Sequence, residues 1–208
     1  MNNDGMRLHF LDSFIKRCFD IFFSLVGLLL LWWVIILSAL ISWATLGGES
    51  GFFLQKRVGR QGKIFSVIKI RTMRSSCAIT TTVTTLNDSR ITPVGHFFRR
   101  SKIDELPQLV NVLLGQMSLV GPRPDVPGFA DTLVGKERAY LSLRPGVTGP
   151  ASIKYQDEEK ILANVDDPEK FNRDMIFPDK VQINLEYIRN YSIMNDIKYI
   201  VKTIGFWG

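Results

Sequence analysis

From Ile21 to Gly48 the chain runs for 28 residues without an ionisable side chain, and its middle, Leu25 to Ile41, is dominated by Leu, Val, Ile and Trp. Such a segment reads as a membrane helix, because at about 1.5 Å per residue it is long enough to cross a hydrocarbon core of roughly 30 Å. It is too long for a cleaved signal peptide and no small-residue cleavage site follows it, so it is expected to stay attached. Both of its flanks are basic: Arg7, Lys16 and Arg17 precede it, and Lys56, Arg57, Arg60 and Lys63 follow it. Since basic flanks are retained on the cytoplasmic side, a single span would misplace one cluster, whereas a helix that enters and returns leaves both inside. The re-entrant arrangement is therefore favoured. The alternative is a single-pass anchor whose downstream cluster serves the rest of the protein, and Trp32, Trp33 and Trp43 do not decide between them. The chain divides into an anchor over 1–48 and a cytosolic, membrane-associated domain over 49–208.

With 208 residues, 46% of them hydrophobic, there is room for one domain and one appendage. The pattern behind the anchor is mostly α with a short β element. Phe65 to Ile70 is β-tolerant. Leu106, Leu109, Val110, Leu113 and Leu114 fall at helical spacing up to Gly115, with Asp104 where an N-cap belongs and Pro107 in the first turn. A further helix is expected over Gly128 to Leu141. The run Tyr187 to Trp207 mixes aromatic, aliphatic and basic residues, as in a helix lying on a membrane surface or packed in the core. Thr80 to Thr85 reads as a loop. Cys18 and Cys77 form neither a metal spacing nor a disulfide framework, which suits a reducing compartment.

A net charge of +6 points to anionic partners. Between Gln55 and Arg123 there are twelve Lys or Arg residues against three acids, Asp88, Asp104 and Glu105. Nucleic acid is disfavoured, because the basic segment follows a membrane helix directly and carries no nucleic-acid motif. Lys56 to Lys63 suit anionic lipid headgroups. Arg123, stiffened between Pro122 and Pro124, and Arg144, before Pro145 and Gly146, suit bidentate contact with phosphate. Asp104 and Glu105 are the acids set among these cations. Adjacent carboxylates can divide labour between a nucleophile or metal ligand and a proton-handling or second-ligand role, while the bland account is an N-cap and a first-turn acid favoured by the helix dipole. Both can hold at once, since a helix N-terminus would keep Asp104 ionised near neutral pH. Asp157, Glu158 and Glu159 read as a solvated face, and His9 and His96 suggest no site. No phosphate loop, dinucleotide fingerprint or nucleophile elbow appears.

Five co-linear segments carry a resemblance: Gln55-Lys-Arg-Val-Gly-Arg-Gln-Gly-Lys-Ile-Phe65, Lys69-Ile-Arg-Thr-Met73, Asp104-Glu-Leu-Pro-Gln-Leu109, Met117-Ser-Leu-Val-Gly-Pro-Arg-Pro124 and Arg144-Pro-Gly-Val-Thr-Gly149. Together they resemble the monotopic phosphoglycosyl transferases, the bacterial sugar transferase family. The resemblance implies a small cytosolic catalytic domain with amphipathic interfacial helices behind a re-entrant helix, at the cytoplasmic face of the bacterial inner membrane. It implies a UDP-sugar donor, undecaprenyl phosphate as acceptor, Mg2+, and a ping-pong cycle. Asp104 would be the nucleophile and a metal ligand, Glu105 its assistant, and Lys69, Arg71, Arg99, Arg123 and Arg144 the cations around the donor. In one respect the chain departs from the family: its re-entrant helix usually breaks at a Ser-Pro, where Trp32 and Trp33 stand here. The motifs do not encode which sugar is transferred or which glycan follows, and pairing with a second copy would rest on analogy. The competing expectation is a non-catalytic membrane-anchored adaptor that binds phosphate-bearing ligands or anionic lipid.

Overall fold

The computed structural model describes residues 10–75 and 88–205. The apolar segment forms a single helix, α1 (Phe10–Thr45), of 36 residues and about 54 Å. It is long and apolar enough to cross a membrane. Its amphipathicity is inverted. The face turned to the rest of the protein is small and polar, with Lys16, Asp20, Ser24, Ser38, Ala39 and Ser42 buried, while Leu29, Leu30, Trp32, Trp33 and Leu40 are each more than half exposed. Small residues let backbones approach: a Cβ on Gly27 would lie 3.0 Å from Leu109, and one on Gly51 would lie 2.0 Å from the Ala39 carbonyl oxygen.

Part of the remaining described residues packs along that face. An antiparallel hairpin joins β1 (Phe52–Val58) to β2 (Ile64–Ile70), with Phe52 opposite Ile70 and Val58 opposite Ile64. Its reversal places Gln61 and Gly62 at φ 60° and 80°, so the Arg-Gln-Gly of the first motif is the turn. The strand expected at Phe65 to Ile70 is thus present as one arm of this hairpin. Then follow α2 (Pro93–Arg100), a 3₁₀ turn over Ile103–Glu105, α3 (Gln108–Leu113) and β3 (Ser118–Val120). β3 pairs in parallel with β4 (Gly146–Thr148), and β4 is followed by α4 (Pro150–Lys154), α5 (Glu158–Ala163), α6 (Pro168–Phe171), α7 (Phe177–Arg189) and α8 (Ile193–Gly205). The fold is mostly helical with small sheets, as expected.

Three expectations need correction. The helix anticipated from Ile103 starts only at Gln108, because Lys102 adopts a left-handed φ of 55° and the chain closes a 3₁₀ turn before Pro107; Asp104 caps nothing. The helix anticipated over Gly128 to Leu141 is a pair of 3₁₀ turns, Ala130–Thr132 and Gly135–Ser142, interrupted by extended Leu133 and Val134 and by Gly135 at φ 58°. The C-terminal run is divided at Asn190–Ser192, and α8 is both packed and open: Asp196 is buried, whereas Met194, Val201 and Ile204 are more than half exposed. The threonine run, Cys77, His9, Phe206 and Trp207 lie outside the described residues.

Candidate active site

Local chain geometry sets the position of the acid pair. Lys102, in a conformation that a residue with a Cβ rarely adopts, turns the chain sharply out of α2. Next, α3 is stapled to the hairpin through buried Asn111, whose Oδ1 accepts from the Ile68 N–H at 3.0 Å and whose Nδ2 donates to the Ser66 carbonyl at 2.8 Å. Arg17 of α1 donates to the Val112 and Leu113 carbonyls at 2.7 and 2.9 Å, satisfying carbonyls at the end of α3. Between these fixed points the turn Ile103–Glu105 holds both carboxylates inside: Asp104 is 7% and Glu105 8% exposed.

The two acids have different company. Glu105 Oε1 accepts from Arg123 at 2.8 Å and from Lys69 at 3.3 Å. Burial pushes its pKa upward, but Arg123, Lys69 and Lys102 overcome this and hold it well below the usual carboxylate range. Burial also draws Lys69 downward against the pull of Glu105. Asp104 has no such clamp, and its Oδ1 is buried without a hydrogen-bond partner. Burial first, and the Glu105 charge second, push its pKa up to about 6. The helix N-terminus expected to keep Asp104 ionised near neutral pH is absent, because no helix starts at this residue, yet a pKa of about 6 still leaves the carboxylate mostly ionised at pH 7.

Asp104 opens into a cleft of about 470 Å³, which is also lined by Lys69, Arg71, Arg99 and Arg123. Four of the five predicted cations are thus gathered with the acid pair. The fifth, Arg144, lines a different cavity and donates its Nε to the Gly115 carbonyl at 2.9 Å. Arg71 is tied to Glu49 at 3.0 Å and to the Ser50 carbonyl at 2.9 Å. The Pro122-Arg123-Pro124 loop is braced from two sides: Arg57 donates to the Pro124 carbonyl at 3.1 Å, and the Tyr140 hydroxyl donates to Asp125 Oδ2 at 2.9 Å.

Sequence reasoning missed part of this cleft. Glu158 and Glu159 are not a solvated face: Glu159 pairs with Arg99, and Glu158 pairs with Lys180 at 2.7 Å. Lys180, 8% exposed on α7, lines the cleft with them. Nothing in the sequence signalled Lys180, which lies 76 residues beyond Asp104 in the chain. Asp125 was within reach of sequence reading, since it directly follows Pro124.

The chemistry available is that of an anion-binding cleft with one clamped and one unclamped carboxylate. Lys69, Arg99 and Arg123 can hold phosphate groups, and an ionised Asp104 can act on phosphorus or coordinate a cation.

Comparison with known proteins places the chain in a family. Residues 11–207 match the family model described as bacterial sugar transferase. The chain is 36% identical over 202 residues to an exopolysaccharide production protein of Rhizobium leguminosarum bv. phaseoli, covering 93% of this chain and 95% of that protein. It is 35% identical over 198 residues to the UDP-glucose:undecaprenyl-phosphate glucose-1-phosphate transferase of Escherichia coli K12. It is 32% identical over 210 residues to the UDP-galactose-lipid carrier transferase of Erwinia amylovora. Each of these last two alignments covers 93% of this chain, which spans about 40% of the length of either relative. With residues 11–207 matched, the chain belongs to the bacterial sugar transferase family.

Proposed function

We propose that the chain transfers a sugar 1-phosphate from a UDP-sugar to undecaprenyl phosphate, releasing UMP, by a ping-pong route through a phosphosugar on Asp104. The observation that carries this reading is the buried Asp104 carboxylate, whose Oδ1 has no partner in a cleft otherwise crowded with donors. An adaptor has no use for an acid kept at that cost. In the first half-reaction an Asp104 oxygen attacks the sugar-bearing phosphorus, a P–O bond to that carboxylate forms, and the bond to UMP breaks with its electron pair leaving on UMP. In the second, an oxygen of the lipid phosphate attacks the same phosphorus and the Asp104 carboxylate departs. Lys69, Arg99 and Arg123 neutralise and align the phosphates, and Glu105, held ionised by Arg123 and Lys69, keeps those two cations in place.

The residues present fit magnesium, which is commonly held by one or two carboxylates plus substrate phosphates. Asp104 offers a free oxygen and Glu105 stands beside it, while no cluster of three or more metal-binding side chains occurs among the described residues. Held by Asp104 with Glu105 beside it, such an ion would supply charge neutralisation for the phosphates.

We place the protein at the cytoplasmic membrane with both ends of α1 on the cytoplasmic side. Supporting this, one and the same folded unit contacts α1 near its start, through Arg17 to α3, and near its end, through Ser42 Oγ to the Arg71 carbonyl. The continuous helix has no proline at Trp32 and Trp33, so its apolar face, rather than a break, provides the support for immersion. An Asn3→Cys variant without Cys18 and Cys77 is expected to resist a membrane-impermeant thiol reagent in intact cells; efficient labelling would refute the same-side arrangement.

The test of the chemistry is UMP release from a panel of UDP-sugars with Mg2+ and undecaprenyl phosphate. One donor should give acceptor-dependent UMP, and without acceptor a phosphosugar adduct should accumulate on the Asp104 peptide in mass spectra. An unmodified peptide under single-turnover conditions would exclude the covalent route. The donor kcat/KM should fall as pH drops through about 6, because protonating Asp104 removes the nucleophile.

A further inference from the structure

The second cavity, about 370 Å³, shares no lining residue with the Asp104 cleft. It lies between the first turns of α1, contributing Ser13, Lys16 and Asp20, and the 3₁₀ segment Gly135–Ser142, and it gathers Arg60, Arg138 and Arg144. These three guanidinium groups have no carboxylate partner among the described ion pairs: Arg60 spends its Nε on the Ser142 carbonyl and Arg144 on that of Gly115, both at 2.9 Å. Lys16 is neutralised by Asp196 at 2.6 Å. Asp20, whose Oδ1 accepts from Ser118 and from the Leu119 N–H, is the acid lining the cavity, so three arginines face one carboxylate. Keeping like charges together without a counter-ion is unfavourable, and burial together with Arg60 and Arg17 lowers the Arg144 pKa.

The same first turns of α1 expose Phe10, Leu11, Phe14 and Ile15, each more than half exposed. A cationic cavity at the end of a helix whose open face is apolar matches a molecule with a phosphate head and a hydrocarbon tail. We infer that this cavity is a second site, separate from the Asp104 cleft, which binds the phosphate of a membrane lipid while the chain of that lipid lies along the first turns of α1. The phosphate could belong to an anionic phospholipid or to a polyprenyl phosphate waiting at the membrane surface, since both present the same group. In either case Arg144 contacts a lipid, not the sugar nucleotide.

The full chain in a mild detergent, without any UDP-sugar, is examined by native mass spectrometry with dioleoylphosphatidylglycerol, undecaprenyl phosphate or dioleoylphosphatidylcholine added in turn. At least one of the first two should be retained at one per protein, and Arg60→Gln/Arg138→Gln should cut that retention fivefold or more; which of the two is retained identifies the source. Equal retention in the double variant, preference for phosphatidylcholine, or displacement by millimolar inorganic phosphate alone would overturn the inference. Binding of UMP to the same samples confirms that the double variant is folded, and because no turnover is involved, failure here is distinguishable from failure of the transferase reading.

Discussion

Asp196 and Asp104 are both buried aspartates whose pKa is raised chiefly by burial, yet they are finished differently. Asp196, fully shielded on α8, accepts from Lys16 Nζ and from the Tyr187 hydroxyl, each at 2.6 Å. Each of its oxygens has a strong donor, and its work is to tie α8 and α7 to the start of α1. Asp104 sits in a turn between two fixed helices with Oδ1 unpartnered. The difference teaches how to separate a structural buried charge from a reactive one. Burial alone does not separate the two; what sets Asp104 apart from Asp196 is an unsatisfied oxygen in the cleft that also gathers Lys69, Arg71, Arg99 and Arg123.

The comparison is broken most directly at the acids themselves. Asp104→Asn is expected to lower turnover by at least about 1,000-fold, while UMP binding, measured by calorimetry, stays within a few fold. Retained turnover would demote Asp104 to the status of Asp196. The converse change, Asp196→Asn, should cost about 3 to 5 kcal/mol in denaturant unfolding, because Lys16 is left buried beside a neutral partner, while the folded fraction keeps its kcat. Replacing both members, Lys16→Met with Asp196→Leu, should recover most of that loss.

A smaller effect sharpens the contrast. Asp104→Asn should raise stability by about 1 to 3 kcal/mol above pH 7, since it removes a buried charge lacking a partner. The sign follows from the raised pKa: the native state binds the Asp104 proton more tightly than the unfolded chain, so the cost is present above about pH 6 and disappears as pH falls towards 4. Thermal melts of both proteins across that range should converge at the acid end, and a constant offset would refute the burial argument. Smallest of all, Glu159→Gln should change stability by less than about 1 kcal/mol, because the Arg99 to Glu159 pair is partly solvated. It should also lower the donor KM about twofold by freeing Arg99; a raised KM would show Glu159 contacting the donor instead.

Much of the site was legible because its residues cluster in sequence. Asp104 and Glu105 stand out as acids among twelve cations, and Arg123 is advertised by its two prolines. Lys180, Glu158 and Glu159 were not legible, since charged residues on amphipathic segments look the same whether they face water or a cleft. Arg144 was legible as a rigid cation, but its place in the other cavity was not, because motif order along the chain says nothing about which cavity a loop faces. The expected N-cap at Asp104 failed for a local reason: the left-handed turn at Lys102 leaves no pattern when a lysine, rather than a glycine, adopts it.

By itself the sequence determined that a helix as long and apolar as α1 must exist, that the domain behind it is mostly helical, and that an acid pair and several cations lie in a few short motifs. These are properties of local composition and spacing, which fix hydrogen bonding and hydrophobic periodicity within a segment. Only the tertiary structure decided that the buried face of α1 is its polar one, that Glu105 is clamped while Asp104 is not, and that Arg144 belongs to a second cavity. Each of those outcomes depends on groups far apart in the chain meeting at hydrogen-bonding distance, and desolvation there, not residue type, sets which charge is satisfied and which is left to react.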